Sequence, residues 1–221
     1  MEQISLFAAD VAEPLLDDLG GLLAANGQLA RGAAGTRLSI LLGPATGPTS
    51  AAGTGPAETG STDADYTDEV LARADALVAE CDRRGIGAQR SIEGDRVLVS
   101  TDRLPELNAL ADAWTRGSVK RVPEFPAPPG GFLRCWALAA GHSEPAGYLL
   151  RTDPQAEQLL PPLAAALSAI GLTGSILGSR GGGPGVRIVG RRRLRRLVEL
   201  LGTAPAGLTV GAFPAVEQAS R

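Results

Sequence analysis

Few residues in this chain are suited to chemistry, and their spacing decides which kinds stay open. His142 is the only histidine, and no Cys, Asp or Glu stands at ligand spacing from it, so a histidine-centred metal site is not expected. The two cysteines, Cys81 and Cys135, form no CxxC pair. They read as free thiols of a reducing cytoplasm, with Cys135 a small hydrophobe inside an apolar helix. GGGPG at 181–185 has neither the lysine of a phosphate loop nor the spacing of a dinucleotide fingerprint. What remains is arginine. Arg191, Arg192, Arg193, Arg195 and Arg196 crowd the start of a helical pattern, where positive charge opposes the macrodipole and suits a phosphate partner. The competing reading is a solvated face opposite the buried stripe Leu194, Leu197, Leu200 and Leu201. Arg37, Arg90, Arg96, Arg151, Arg180 and Arg187 fall about one per strand. They either line one face of a sheet or simply alternate outward.

The elements that must position these residues come from punctuation and periodicity. The chain has 221 residues, 44% hydrophobic, enough for a sizeable core. Its net charge of −3 excludes a uniformly basic nucleic-acid binder, so any such role needs a local basic face. Nothing resembles a secretory leader, and no unbroken apolar run is long enough to span a membrane. Residues 44–65 are Gly, Pro, Ser, Thr and Ala with little to bury, and read as a disordered insertion. With it set aside, the halves run in parallel. PLLDDLGGLLAANG reads as a helix, QLARGAAG and TRLSILLG as strands, and YTDEVLARADALVAECDRRG as an amphipathic helix. IGAQRSIEG and DRVLVST give a hairpin, and LPELNALADAW a helix. GGFLRCWALAAG, HSEPAG with YLLRT, PQAEQLLPPLAAALSAIG, LTGSILGSR with GVRIVG, and RRRLRRLVELLG repeat that order. Pro161 and Pro162 should kink or restart their helix. Trp114 and Trp136 are expected in the core. The fold class is α+β, a tandem αββαββα repeat with a pseudo-two-fold axis.

This order resembles the LAGLIDADG fold of homing endonucleases over roughly residues 14 to 204. The motif of that family is a helix with small residues on one face and an acid before a terminal glycine. The matching stretches are LGGLLAANG at 19–27 and LRCWALAAG at 133–141. Small residues let two helices approach closely; Gly20, Gly21 and Ala24 would serve on one, Ala137 and Ala140 on the other. In the family the acid ligates a divalent metal that cuts DNA. The positions matching it are Asn26 and Ala140, and neither is an acid. Asp17 and Asp18 lie about two turns upstream, too far to substitute. The resemblance therefore implies a saddle-shaped, DNA-facing sheet without the nuclease: no metal, no cofactor, and a protein expected not to be an enzyme.

Gln3-Ile4-Ser5-Leu6-Phe7 matches the peptide by which bacterial replication and repair proteins bind the β sliding clamp, of the form Gln-aliphatic-Ser/Asp-Leu-Phe. An apolar pair fills a pocket and the glutamine amide sets the register. The alternative is that Leu6 and Phe7 pack on the domain as a staple. The organisation expected is a clamp-binding tail at 1–13, a first half at 14–118, a second at 119–206, and a C-terminal tail at 207–221. The function expected is a non-catalytic accessory factor of DNA replication or repair: monomeric, cytoplasmic and nucleoid-associated, bound to the clamp, with DNA as a candidate second partner and no membrane partner. The alternatives are a DNA-binding transcriptional regulator without clamp binding, and a nuclease with relocated acids.

Overall fold

The computed structural model describes residues 9–10, 12–43, 63–124, 127–145, 147–179, 183–208 and 211–214. Gln3, Ile4, Ser5, Leu6, Phe7 and Arg180 lie outside the described residues, as does the proposed insertion up to residue 62.

A 3-10 turn, Leu16–Leu19, leads into α1, Gly20–Ala24. The hairpin β1, Gln28–Gly32, and β2, Gly35–Leu42, follows. Then come α2, Asp63–Asp82, the hairpin β3, Ala88–Glu93, and β4, Arg96–Thr101, and α3, Leu107–Trp114. A short hairpin, β5, Thr115–Arg116, and β6, Val119–Lys120, closes this half. The second half has α4, Gly130–Ala140, with β7, Gly141–Glu144, and β8, Gly147–Arg151. A 3-10 turn, Glu157–Leu159, runs into α5, Leu160–Ala169, followed by β9, Ser175–Leu177, β10, Gly185–Ile188, and α6, Arg191–Leu201. The two main sheets share one topology, β1-β2-β4-β3 and β7-β8-β10-β9, with every pairing antiparallel. This is the α+β repeat that the sequence order implies.

Three boundaries differ from expectation, each for a local reason, while the one at Pro161 and Pro162 follows it. The first helix stops at Ala24 rather than running through Asn26, because Ala25 leaves the helical conformation and the Gly27 N–H turns back to the Leu22 carbonyl at 2.8 Å. α2 begins at Asp63, inside the stretch read as insertion, soon after the last glycine, Gly60. The prolines fall in the first turn of α5, where their missing N–H groups cost little, so the helix restarts there. Ala9 is not part of a loose tail: it is buried, and its N–H donates to the Leu200 carbonyl at 2.9 Å. Asp10 accepts from the Thr203 N–H at 2.6 Å.

Helices and the inward faces of both sheets share one apolar core. Leu38, Ile40, Val97 and Val99 face it from one sheet, Tyr148, Leu150, Val186 and Ile188 from the other, with Trp114 and Trp136 between helices. α1 and α4 pack side by side at its centre. Gly21 makes that possible: a Cβ there would press on the Phe132 carbonyl and lie 2.6 Å from the Trp136 nitrogen. Gly20 faces instead the Trp114 ring of α3, and Gly131 of α4 sits against the Asp18 carboxylate.

A buried ionic cluster pins these helices together. Glu80 accepts from Arg84 and Arg134, both at 2.7 Å, and Arg84 also donates to Asp18 at 2.9 Å. Arg134 reaches on to the carbonyls of Leu201 and Thr203 at 2.9 and 2.6 Å. Burial pushes the Glu80 carboxyl up, but the hydrogen bonds and charges of Arg84 and Arg134 outweigh it and hold it below its ordinary value. Cys81 and Cys135 are free and buried here, and burial pushes the Cys81 thiol up to about 12. Both are packing groups rather than nucleophiles.

Candidate functional site

Strand register decides which arginines share a surface. Residues directly opposite in an antiparallel pair point to the same face. Val97 and Val99 face the core, so Arg96, Leu98 and Ser100 face away from the helices, as do Arg37, Ser39 and Leu41. In the second sheet Tyr148 and Leu150 face the core, so His142, Leu149, Arg151 and Arg187 lie on the opposite face. Arg37, Arg96, Arg151 and Arg187 thus occupy the outward faces. Arg187 is paired to Glu144 at 2.5 Å. Arg90 is a correction: it pairs with Val99 in register, on the helix side, and is bound to Asp75 of α2. Edge strand β3 is exposed along nearly its whole length, so its burial pattern carries no alternation from which this could be read. Arg191, Arg192 and Arg195 lie exposed on α6, which packs by Leu197, Leu200 and Leu201 against the core beside α4. They therefore occupy a different surface from the outward strand arginines.

Between the two sheets, at the C-terminal ends of α1 and α4, lies a cleft of about 650 Å³. Asn26 and Ala140, the two motif positions, both line it. The Asn26 amide donates to the Leu41 carbonyl at 3.1 Å, and Ala140 offers no ligand. Asp18 is spent on Arg84 in the core. Among the described residues no group of three or more His, Cys, Asp or Glu side chains could hold a metal ion.

The helix ends are closed by cations of the protein itself. The Arg73 guanidinium donates to the carbonyls of Ala137, Leu138 and Gly141 at 3.3, 3.1 and 2.7 Å, and to Ala212 at 3.0 Å. Lys120, the only lysine, donates to Asp153 at 2.6 Å and to the Leu23 carbonyl of α1 at 3.4 Å. The last carbonyls of a helix carry its negative end, so a cation there is favourable. The cleft wall then holds Arg73, Arg96 and Arg151 against one carboxylate, Glu69, which is itself paired to Arg73. His142 registers this: burial first, then Arg151 and Arg73, hold its pKa below the ordinary value, so it is neutral at pH 7. Arg73 and Lys120 were not singled out from the sequence. The available signals were an arginine on the apolar stripe of α2 and a single lysine among twenty arginines.

The chain matches no known family description and no curated protein. Among solved structures it is similar to the homing endonuclease I-WcaI bound to its DNA recognition sequence, with 10% identity, a TM-score of 0.51, and coverage of 91% of this chain and 83% of that one. The likeness is one of fold. It corrects the expectation that the chain is not an enzyme: the protein sharing its architecture is an endonuclease, so replaced acids at Asn26 and Ala140 are no ground for excluding catalysis. No described helix is long and apolar enough to cross a membrane.

Proposed function

We propose that this chain holds DNA against the outward faces of its two sheets and is brought to it by the β sliding clamp, acting in DNA replication or repair. The observation that carries the DNA reading is the placement of Arg37 and Arg96 on one sheet and Arg151 on the other, flanking a cationic cleft. A molecule of net charge −3 attracts a polyanion only through such a local face. That the similar fold was solved on DNA adds support. Replacing Arg37, Arg96 and Arg151 together by Gln is expected to weaken binding to a duplex and to flatten its salt dependence by about 0.9 in the log–log slope per lost phosphate contact. The triple replacement of Arg191, Arg192 and Arg195 by Ala probes the second surface. A smaller slope change there assigns contact to the sheets; a larger one moves it to α6.

The clamp reading rests on Gln3, Ile4, Ser5, Leu6 and Phe7. Burying Leu6 and Phe7 removes about 200 Å² of apolar surface, worth about 5 kcal/mol gross at 25 cal/mol per Å². Ordering costs offset part of this. Hydrogen bonds of the glutamine and backbone bring the net to about −8 kcal/mol, a micromolar Kd. On immobilised clamp, Phe7→Ala is expected to abolish binding and Gln3→Ala to weaken it, with Tm unchanged in both. A Tm lowered by several degrees with clamp binding intact would make the segment part of the core, and would favour the regulator reading.

A further inference from the structure

Outward arginines suit a polyanion lying over the sheets, but two buried atoms on the cleft wall remain without partners. Arg151 Nε and Thr152 Oγ1 are buried and make no hydrogen bond. Both residues line the cleft, and Thr152 is only 4% exposed. Their backbone is anchored: the Arg151 carbonyl accepts from Trp136 Nε1 at 2.7 Å, and the Thr152 N–H donates to Pro184 at 2.9 Å. The side-chain donors are therefore held in place with nothing to donate to, and buried polar atoms are rarely left so. A cation does not answer them. Arg151 Nε can only donate and its guanidinium repels a cation, the Thr152 hydroxyl beside it is free to donate, and the nearby helix-end carbonyls are already taken by Arg73, Lys120 and the Asp153 N–H. Those same cations cancel the negative helix ends that would otherwise repel an anion.

We propose that the cleft is a phosphoryl-binding site in which Arg151 and Thr152 donate to the oxyanion and Arg96 faces it from the other sheet. A tetrahedral phosphoryl group, with three non-bridging oxygens when terminal and two in a backbone diester, presents acceptors in more than one plane and so suits donors from two facing walls better than a planar carboxylate does. As a backbone phosphate this rests on the DNA-binding reading above; as a free phosphate or nucleotide group it does not.

The test measures Tm of wild type, Arg151→Gln and Thr152→Val with sodium pyrophosphate, against sodium chloride at matched ionic strength, and measures affinity of the same proteins for a 24-base-pair duplex. Thr152→Val keeps the shape and deletes the unanswered hydroxyl. Without ligand it is expected to raise Tm by about 2 °C, as removal of a buried unsatisfied group should. With ligand it is expected to respond less than wild type. Arg151→Gln is expected to cost about tenfold in affinity, the size of one charge-assisted hydrogen bond. A pyrophosphate-induced Tm rise lost in the variants supports a free phosphoryl ligand, and stands even if the duplex does not bind, in which case the DNA reading alone falls. A duplex-only effect weakened in both variants supports a backbone phosphate. Non-zero responses to both ligands that are equal in all three proteins overturn the cleft assignment and leave duplex contact to Arg37, Arg96 or α6; no response to either ligand overturns both readings. Should Arg151→Gln fail to fold, Thr152→Val decides.

Discussion

Gly21→Ala is expected to destabilise the protein by about 3 kcal/mol or more, beyond the ordinary range of about 1–3 kcal/mol for overpacking. The new methyl would meet the Phe132 carbonyl, the Trp136 nitrogen and Cys135 Cβ. Two of these are backbone atoms of α4, which cannot rotate away, so α1 and α4 must separate. Against this stands a gain of about 1 kcal/mol from replacing glycine inside a helix. The contact wins because separating the central helices opens the whole core around Trp114, Phe132 and Trp136. Gly87→Ala is the control: a Cβ there meets nothing within 4 Å, and the change is expected within about 0.5 kcal/mol of wild type. Urea midpoints measure both. Equal midpoints for Gly21→Ala and Gly87→Ala would falsify the close central contact.

Glu80→Gln should cost about 3–5 kcal/mol, the range for breaking a buried ion pair by removing one partner. Arg84 and Arg134 would keep their charge in the core, with Asp18 left as the only carboxylate of the cluster. For a chain of this length that is a Tm drop of about 10 °C. The pH dependence gives a second reading. Glu80 titrates lower in the folded than in the unfolded protein, so on acidification the unfolded chain takes up its proton first. The stabilisation is therefore complete above the ordinary glutamate value of 4.5 and is lost as pH falls through the lower folded value. Wild type and Glu80→Gln should consequently differ most near pH 7 and converge in acid. A constant difference between pH 7 and pH 3 would show that the carboxylate charge contributes nothing.

The order of elements was legible because glycines and prolines mark nearly every boundary and because β2 and β4 alternate cleanly. The β5–β6 hairpin was not, since two-residue strands carry no period. Nor were the charges at the heart of the molecule. Arg73, Leu77, Glu80 and Arg84 follow one another at helical spacing, so three ionic groups share the stripe with Val70, Ala74 and Cys81. Read as amphipathicity, that stripe looks merely imperfect; in the fold it holds Arg73 against the end of α4 and Glu80 between two arginines. The cleft was out of reach for a different reason. Asn26, Arg96, Arg151 and Thr152 meet only once two sheets and two helix ends are assembled. Judging the site from Asn26 and Ala140 alone led to the exclusion of catalysis that the fold comparison removes.

The anchoring of Ala9 and Asp10 sets the mechanics of any attachment through the segment ahead of them. Ala9 is tied to Leu200 and to Arg83, and Asp10 to Thr203, at the C-terminal end of α6. Between Phe7 and Ala9 there is a single residue, Ala8, which spans at most about 3.6 Å. A clamp engaged at Gln3–Phe7, as proposed, would be held within a short reach of the body, close to the end of α6. How far the cleft could travel from a duplex threaded through the ring would be set there. Lengthening the joint with a few glycines after Ala8 is expected to leave clamp affinity unchanged and to widen that reach, turning a shackle into a leash.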